Sequence, residues 1–358
     1  PGYSLQGARC TKMPELPVES CETTVGNPIE LTTGDKVETA LDYEIPGPRP
    51  FEIARTYRSS YADLSKRPLG QGWRLDLIST LTFRSDGSVL FNDVNGVVIK
   101  LSPTTAPIYS TNDDFDGTLR YLDQAQLNWR LDHGDGRSLV FSKSGSFARL
   151  DAVTWPDGYM RAYRYRDDGK LDEIIDSLGR RVRFAWSADV ISTISASDGT
   201  SIAYDYERPR VGPVYMNGAE RLVKATLRTS DGFEKITRHH YEVASDWFAL
   251  TGITDARGVR SATFAYDAVG RGVSTSHAGQ ETYTIAYDDA TQARTVTNAL
   301  GRSTIYKHLS VNGRRRLTEV DGVATANCAA SDTTYSRNPE GRISQMVDAE
   351  GNVSTYLY

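Results

Sequence analysis

Short runs of alternating apolar and polar residues, separated by turn residues, fill most of the chain. In residues 81–99, for example, three apolar runs are separated by Asp86-Gly87 and Asn95-Gly96. Alternation with a period of two predicts strands with one buried face, and these dipeptides supply the positive φ that tight hairpin turns need. The pattern therefore predicts an antiparallel meander in which neighbours in sequence are neighbours in the sheet.

A regular spacing of glycines begins after about residue 150. Glycines precede β-like runs at intervals of about 21 residues, at Gly158, Gly179 and Gly199 and again at Gly258, Gly279 and Gly301. This period predicts one hairpin per repeat, and such hairpins must pair with their neighbours to bury an apolar face. We expect an all-β fold: a long antiparallel β-sheet of consecutive hairpins that coils into an open segment of a hollow shell.

The repeats share side chains as well as spacing. Each unit reads as a strand that ends in an aromatic residue and Asp, then a turn at Gly, then a second strand. We predict that the aromatic residue packs on the next repeat, that Asp accepts backbone N–H bonds and that Gly is left-handed. The predicted structural residues are Tyr165, Gly169, Tyr204, Asp205, Tyr266, Asp267, Gly270, Tyr287, Asp288 and Gly341.

Changes of pattern divide the chain into three predicted segments. Residues 1–25 contain three prolines and no periodicity, which predicts an extended N-terminal arm. Residues 26–150 are predicted to form a β-rich lead-in domain, and residues 151–358 the repeat sheet. Residues 207–257 interrupt the repeat rhythm, which indicates an insertion or hairpin loops that project from the sheet.

Composition and charge favour a β-protein that does not bind nucleic acid. The chain has 20 Tyr and 30 Gly, and its 41 basic and 46 acidic side chains are interspersed, for a net charge of −5. A phosphate-binding surface would need a basic stripe, so nucleic acid is not an expected partner. The sequence contains no run of 18 or more apolar residues, so no membrane-spanning helix is predicted. Because no initiator Met is present and the sequence ends within a repeat, we expect a fragment.

Two cysteines lie close together in the N-terminal arm. A disulfide between Cys10 and Cys21 would close a small loop and would suit an exported protein. The alternative is a pair of reduced surface thiols. Cys328 has no evident partner in the sequence.

Residues with catalytic or ligand-binding chemistry form no recognisable constellation. His239 and His240, with Glu242 and His277, suggest a metal site, but neighbouring residues on a strand point to opposite faces and do not chelate together. No nucleophile elbow, favoured carboxylate pair or phosphate-binding loop occurs. We therefore predict no catalytic residue, no metal site and no cofactor.

One acidic segment has spacing similar to that of a calcium loop. Asn112, Asp114 and Asp116 place oxygen ligands before Gly117, and Asp123 follows. The flanking residues favour strands, and the last ligand would be Asp rather than Glu. A solvated acidic turn is the favoured interpretation, and a bound cation remains the alternative.

Two groups of motifs together resemble those of bacterial RHS proteins. Over residues 158–358, the period of about 21 with Tyr-Asp pairs and Gly-Arg turns resembles the YD repeats of RHS proteins and teneurins. Upstream, residues 26–36 (GNPIELTTGDK), 55–57 (RTY) and 69–73 (LGQGW) resemble the signature of the β-rich domain that precedes these repeats. The two groups together are more specific than either alone.

This resemblance implies a structural role rather than an enzymatic one. Many bacterial members enclose a C-terminal toxin in a β-shell and release it by self-cleavage. The implied function is a shell segment of an RHS-type polymorphic toxin that encapsulates and helps deliver a C-terminal effector. The core-closing motif that carries the self-cleaving aspartates does not occur in this sequence, so self-cleavage is assigned to no residue.

The resemblance also implies partners and a location. The expected partners are downstream RHS repeats and the C-terminal toxin of the same protein, together with secretion machinery. The expected location is secreted, or the cell surface of a bacterium. The alternative function is an extracellular scaffold that binds carbohydrate or protein, with a glycan as ligand, through Tyr, Trp and Arg on one sheet face. A glycosidase or other enzyme is the least favoured hypothesis.

Overall fold

A computed structural model describes residues 3–6, 9–12, 24–61, 68–111, 115–211, 214–215, 220–311, 314–323 and 331–357. Within these ranges the chain consists of β-strands and turns, and the helical content is one 3₁₀ turn at Ser59–Tyr61. None of the described residues forms a helix with the length and apolar character needed to cross a membrane.

Seven strands precede the first long meander in the part of the chain that the structure describes. They are β1 (Tyr3–Gln6), β2 (Arg9–Lys12), β3 (Thr24–Val25), β4 (Ile29–Glu30), β5 (Val37–Ile45), β6 (Phe51–Arg58) and β7 (Trp73–Leu75). β1 pairs with β2, β3 pairs with β4, and β5, β6 and β7 form a three-stranded sheet. The turn between β5 and β6 contains three prolines, which lack the N–H needed to continue either strand.

The next eight strands form a closed ring. They are β8 (Thr80–Phe83), β9 (Val89–Asn92), β10 (Val98–Pro103), β11 (Ile108–Ser110), β12 (Gly117–Tyr121), β13 (Asn128–His133), β14 (Ser138–Ser144) and β15 (Phe147–Thr154). Each pairs with the next, and β15 pairs back with β8. The predicted meander is confirmed, but its closure was not predicted. Buried side chains alternate along these strands, as at Leu81, Phe91, Trp129, Leu131 and Phe141.

Repeat strands follow, and most are joined by tight turns. They are β16 (Met160–Tyr165), β17 (Leu171–Asp176), β18 (Arg181–Ser187), β19 (Val190–Ala196), β20 (Ser201–Glu207), β21 (Arg210–Val211), β22 (Val214–Tyr215), β23 (Arg221–Arg228), β24 (Glu234–His240), β25 (Gly252–Thr254), β26 (Arg260–Tyr266), β27 (Gly272–His277), β28 (Gln280–Asp288), β29 (Ala293–Thr297), β30 (Ser303–Val311), β31 (Arg314–Gly322), β32 (Ser331–Arg337), β33 (Ile343–Val347) and β34 (Val353–Thr355). Among the described residues, one sheet contains 25 strands, β8–β20 and β23–β34, which confirms the predicted all-β fold of consecutive hairpins. β21 and β22 form a separate small hairpin after β20, where an insertion was predicted.

The chain divides into two compact units, and each contains a stretch of the lead-in segment together with repeat strands. One unit comprises Pro1–Glu38, Arg58–Ser60 and His239–Tyr358, and the other comprises Thr39–Tyr57 and Tyr61–Arg238. The predicted segment boundaries after residues 25 and 150 stay predictions. For brevity, the unit with Thr39–Tyr57 is called the first unit and the other the second unit.

Candidate functional site: the lead-in turns bound by the repeat sheet

Apolar and polar residues alternate along the repeat strands of the first unit, so the two faces of the sheet there carry different side chains. One face carries large side chains that are buried, namely Tyr163, Ile174, Phe184, Ile194 and Ile202. The opposite face carries small and charged residues, among them Glu173, which lies 3.0 Å from Arg183 and 3.5 Å from Arg164. A strand places successive side chains on opposite faces, so this division follows directly from the sequence.

The lead-in strands of the first unit lie on the apolar face. Phe51 and Ile53 on β6 have no exposed surface. The Arg161 guanidinium lies 4.1 Å from the centroid of the Phe51 ring, and the Tyr204 hydroxyl donates a 2.7 Å hydrogen bond to the Asp42 carboxylate. An apolar face that would otherwise be exposed to water is therefore covered by residues of the same chain.

Arg180 binds the turn between β5 and β6, and we call this contact the first latch (Arg180 with residues 45–50). Its two Nη atoms donate to three carbonyl oxygens of the turn, those of Ile45 (3.1 Å), Pro46 (3.1 Å) and Arg49 (2.6 Å). Its Nε donates to Asp176 at 2.7 Å, and the side chain is 12% exposed. One guanidinium thus satisfies three backbone acceptors in a proline-rich turn that has few donors of its own.

Asp176 fixes the position of the Arg180 guanidinium. The Tyr159 hydroxyl donates to Asp176 Oδ2 at 3.0 Å, and the backbone N–H groups of Leu178 and Arg180 donate to Oδ1 at 3.0 and 2.9 Å. Burial raises the pKa of Asp176, but the hydrogen bonds from Arg180 outweigh it and leave the pKa below its usual value. The carboxylate is therefore ionised at neutral pH and pairs with Arg180.

The second unit has an equivalent contact, the second latch (Arg294, Arg315 and Gly272 with residues 31–34). Arg294 Nε donates to the carbonyl of Leu31 at 3.3 Å, Arg315 Nη1 to that of Thr32 at 3.0 Å, and the Gly272 N–H to that of Gly34 at 2.8 Å. Gly34 has a φ of +84°, and a Cβ there would lie 2.6 Å from the Cβ of Arg271. This turn therefore needs glycine both for its backbone conformation and for its close approach to the sheet.

Buried apolar residues and a buried cation accompany the second latch. Ile29 and Leu31 form a core with Ile285 and Val296 of the repeat strands. Lys36 has no exposed surface, and its Nζ lies 4.1 Å from the centroid of the Phe264 ring. Burial lowers the pKa of Lys36, opposed by an ion pair with a neighbouring glutamate.

A side-chain hydrogen bond recurs at the ends of repeat strands, and we call it the clamp. In each case an aromatic side chain donates at 2.7 Å to the carbonyl oxygen of a residue 15 or 16 positions earlier. The pairs are Tyr165 with Leu150, Trp186 with Leu171, Tyr206 with Ile191, Tyr266 with Leu250, and Tyr287 with Gly272. The clamps connect the repeat strands by side chains in addition to the backbone ladder.

The clamp changes at two later positions that follow the same kind of register shift. Arg337 donates to the Leu317 carbonyl through Nη2 at 2.8 Å. His308 is buried, and within the described ranges neither of its ring nitrogens has a hydrogen-bond partner. Burial lowers the pKa of His308 to about 4, so the ring is neutral at pH 7. The carbonyl of Ala293, 15 positions before His308, accepts a 2.9 Å hydrogen bond from Arg294 instead.

Two of the predicted tyrosine–aspartate residues occupy a different place in the repeat. A register shift between Asp205 and Tyr206 puts Tyr206, rather than Tyr204, at the clamp position. The Tyr204 ring is instead buried on the apolar face, and Asp205 forms an ion pair with Lys224. Sequence inspection also missed Trp186 as a clamp residue.

The remaining predicted aspartates lie at the starts of turns. Each accepts two backbone hydrogen bonds through Oδ1: Asp267 from Val269 (3.0 Å) and Arg271 (2.9 Å), and Asp288 from Ala290 (3.0 Å) and Thr291 (3.2 Å). Burial raises the pKa of Asp267, but its hydrogen bonds with Arg271 bring it below the usual value. These carboxylates therefore act as turn caps.

The predicted turn glycines have positive φ angles, +81° at Gly169, +84° at Gly270 and +87° at Gly341. A Cβ at Gly169 or Gly270 would meet no atom within 4 Å, so backbone strain alone opposes substitution there. We expect Gly169→Val or Gly270→Val to lower the free energy of unfolding by about 1 kcal/mol or more in urea titrations. Ala268→Val, in the same turn but without a positive φ, is the control. Equal effects at Gly270 and Ala268 would contradict this assignment.

Two predictions fall wholly or partly outside the described residues. Cys21 lies outside them, and only the backbone of Cys10 is described, so the disulfide stays a prediction. Asn112 and Asp114 also lie outside, so binding of a cation there stays untested. The carbonyl of Asp116 accepts a 2.7 Å hydrogen bond from the Gly134 N–H.

Within the histidine-rich stretch, residues 239–242, His240 and Glu242 contact neighbouring side chains. His240 Nε2 lies 2.7 Å from Thr254 Oγ1, and Glu242 forms hydrogen bonds with Arg260 at 2.7 Å and Thr251 at 2.9 Å. In the part of the chain that the structure describes, no three His, Cys, Asp or Glu side chains are grouped to hold a metal ion. Hydrogen bonds and an ion pair therefore account for the side chains of His240 and Glu242.

Comparisons with known proteins agree with the motifs. Residues 26–101 match a family described as Domain of unknown function (DUF6531). The chain is 26% identical over 352 residues to Double-stranded DNA deaminase toxin A of Burkholderia cenocepacia (strain H111). The aligned region covers 93% of this chain and 19% of that protein. It is 23% identical over 374 residues to Probable deoxyribonuclease RhsB of Dickeya dadantii (strain 3937), which covers 95% of this chain and 24% of that protein.

Among solved structures, the chain is similar to the crystal structure of TcdB2-TccC3-TEV. The TM-score is 0.38 and the sequence identity 12%, over 84% of this chain and 15% of that chain. The sequence relatives cover nearly all of this chain, and their alignment includes both the lead-in motifs and the repeats. The motifs, the consecutive hairpins and these relatives together support an RHS-type repeat protein, and residues 26–101 match the DUF6531 family.

Proposed function

We propose that the chain is a structural shell segment of an RHS-type polymorphic toxin, which encapsulates and helps deliver a C-terminal effector. The recurring clamp carries this proposal, because the same side-chain hydrogen bond is repeated along the sheet at five positions. The latches add arginine contacts between the lead-in turns and the sheet within each unit. Such contacts stiffen an extended sheet, as a wall requires.

The relatives support the proposal through the share of their length that this chain covers. The proteins named as a deaminase toxin and a probable deoxyribonuclease align with this chain over 19% and 24% of their length. We propose that the activities in those names belong to other parts of those proteins, and that this segment is not an enzyme. Its proposed partners are downstream repeats, the C-terminal toxin of the same protein and secretion machinery. Its proposed location is secreted, or the surface of a bacterium.

Protease protection of the effector in the full-length protein tests this proposal. The effector carries a C-terminal tag, and its digestion by proteinase K is followed by immunoblotting. We expect the wild-type effector to resist digestion and the double variant Arg180→Ala/Arg294→Ala to lose that protection, because it removes the first latch and the Arg294 hydrogen bond of the second latch. Arg181→Ala/Arg228→Ala, which removes two more exposed arginines, is the matched control. Digestion of the wild-type effector as fast as that of the isolated effector would contradict encapsulation.

A further inference from the structure

Asp76 carries a buried oxygen that lacks a hydrogen bond in the first unit. The residue follows β7, and its Oδ1 atom is buried without a partner among the described residues. Its Oδ2 accepts a 2.7 Å hydrogen bond from the Thr56 hydroxyl on β6, which lies 3.1 Å from the Thr39 hydroxyl on β5. Three residues further on, the hydroxyl of Ser79 is also buried without a partner in this part of the structure.

The charged groups around Asp76 are engaged elsewhere. Arg55 on β6 pairs with Asp42 on β5 at 2.8 Å and lies 4.3 Å from the centroid of the Trp73 ring. Arg74 on β7 donates to the backbone carbonyl of Asp93, in the loop after β9. Among the described residues, Oδ1 of Asp76 accepts no hydrogen bond from either arginine.

A second acidic group adds to the negative charge near Asp76. Asp42 accepts hydrogen bonds from Arg55 and from the Tyr204 hydroxyl on β20, so it stays bound to both. An ionised Asp76 therefore places a second carboxylate beside an ion pair that is already complete, with one buried oxygen unsatisfied. A neutral carboxyl at this place would carry a smaller penalty, because no charge is buried.

We propose that Asp76 is a proton-binding site that makes the three strands of the lead-in sheet β5–β7 hold together more firmly in mild acid than at neutral pH. Its protonation removes the unsatisfied charge and turns the buried carboxylate into a hydroxyl donor. The contacts that depend on this residue join β5, β6 and β7. The site would thus make the packing of β5, β6 and β7 against one another sensitive to pH.

The electrostatics of the site agree in direction. Burial raises the pKa of Asp76 to about 6, although the hydrogen bond from Thr56 and the charges of Arg74 and Arg55 lower it. The folded state then binds this proton more tightly than the unfolded state, where an aspartate has a pKa of 3.8. The contribution to stability is present at low pH and is lost as the pH rises from about 4 through about 6. Between pH 5 and 7.5 the loss amounts to roughly tenfold in the folding equilibrium constant.

Asp76→Asn tests the site because the amide imitates the neutral carboxyl. We expect the folding equilibrium constant of the variant, divided by that of the wild type, to rise about tenfold between pH 5 and pH 7.5. Urea unfolding followed by circular dichroism at both pH values measures this ratio. Asp172→Asn, which removes one exposed carboxylate on β17, controls for the change in net charge. A ratio for Asp76→Asn that changes no more than the control ratio would overturn the proposal.

Thr56→Val provides an independent measurement, should the amide disturb packing. This change removes the hydrogen bond that stabilises the ionised form of Asp76. We expect the variant to lose more stability at pH 7.5 than at pH 5, because only the charged form depends on that bond. The same loss at both pH values would show that Asp76 does not titrate in this range.

Discussion

Arg180→Ala is expected to lower the free energy of unfolding by about 3–5 kcal/mol, because it leaves a buried carboxylate without its cation. The Asp176 side chain has no exposed surface, and three backbone carbonyls of residues 45–50 lose their donor at the same time. Urea unfolding at pH 7 measures the loss. Limited proteolysis between residues 45 and 50 should also become faster, because the turn loses the contact that binds it to the sheet.

Arg181→Ala is the matched control for this prediction. Arg181 is the next residue, it is 47% exposed, and it lies 3.4 Å from Glu173 in an ion pair on the other face. Arg181 is half-exposed and Glu173 keeps Arg164 and Arg183 as partners, so we expect a loss of about 1 kcal/mol or less. Arg180→Lys should fall between the two, because an ammonium group does not reproduce the fork of the guanidinium. If Arg180→Ala and Arg181→Ala destabilise equally, the first latch has no special role.

The strands and turns were predictable because their signals are local. Asp86-Gly87 and Asn95-Gly96 fix two hairpins, and the structure pairs the strands on either side of each. The period of about 21 residues likewise predicted one hairpin per repeat. Turn chemistry depends on residues within four positions, and such information is readable from a single sequence.

The clamp register was harder to predict because two tyrosines lie two residues apart. Tyr204 and Tyr206 point to one face of a regular strand, and only a register shift separates their roles. The Tyr-Asp pair in the sequence favoured Tyr204 as the repeat tyrosine at the strand end. The interval from Tyr165 through Trp186 to Tyr206 is 21 and then 20 residues, and this constant spacing was the signal that identifies the clamp.

The latches were not predictable from the sequence. Arg180 follows Gly179 in a recognised repeat turn, but its backbone acceptors lie 131 to 135 positions earlier. No local pattern indicates which distant carbonyl a guanidinium reaches. The pairing of β15 with β8 was not predictable for the same reason. Alternation predicts which residues of a strand are buried, but not which distant strands pair.

Trp129→Ala is expected to destabilise the ring β8–β15 by about 3–5 kcal/mol, because a large buried ring leaves a cavity. Trp129 has no exposed surface, and its ring centroid lies 4.8 Å from that of Phe83, 5.2 Å from that of Tyr109 and 5.7 Å from that of Tyr121. Its indole N–H donates at 2.8 Å to a backbone carbonyl. Urea unfolding followed by circular dichroism measures the loss without relying on tryptophan fluorescence.

The effect should extend beyond the ring, because β15 pairs with β8 through residues 147–149 and with β16 through residues 152–154. Amide hydrogen exchange in Trp129→Ala is expected to accelerate first at β8 and β15 and then at β16, the first repeat strand. Phe147→Ala removes a ring from the same strand β15, but that ring is 46% exposed, so a loss of about 1 kcal/mol or less is expected. Faster exchange confined to β13, with β8 and β16 unchanged, would show that the ring and the repeat sheet are not coupled through β15.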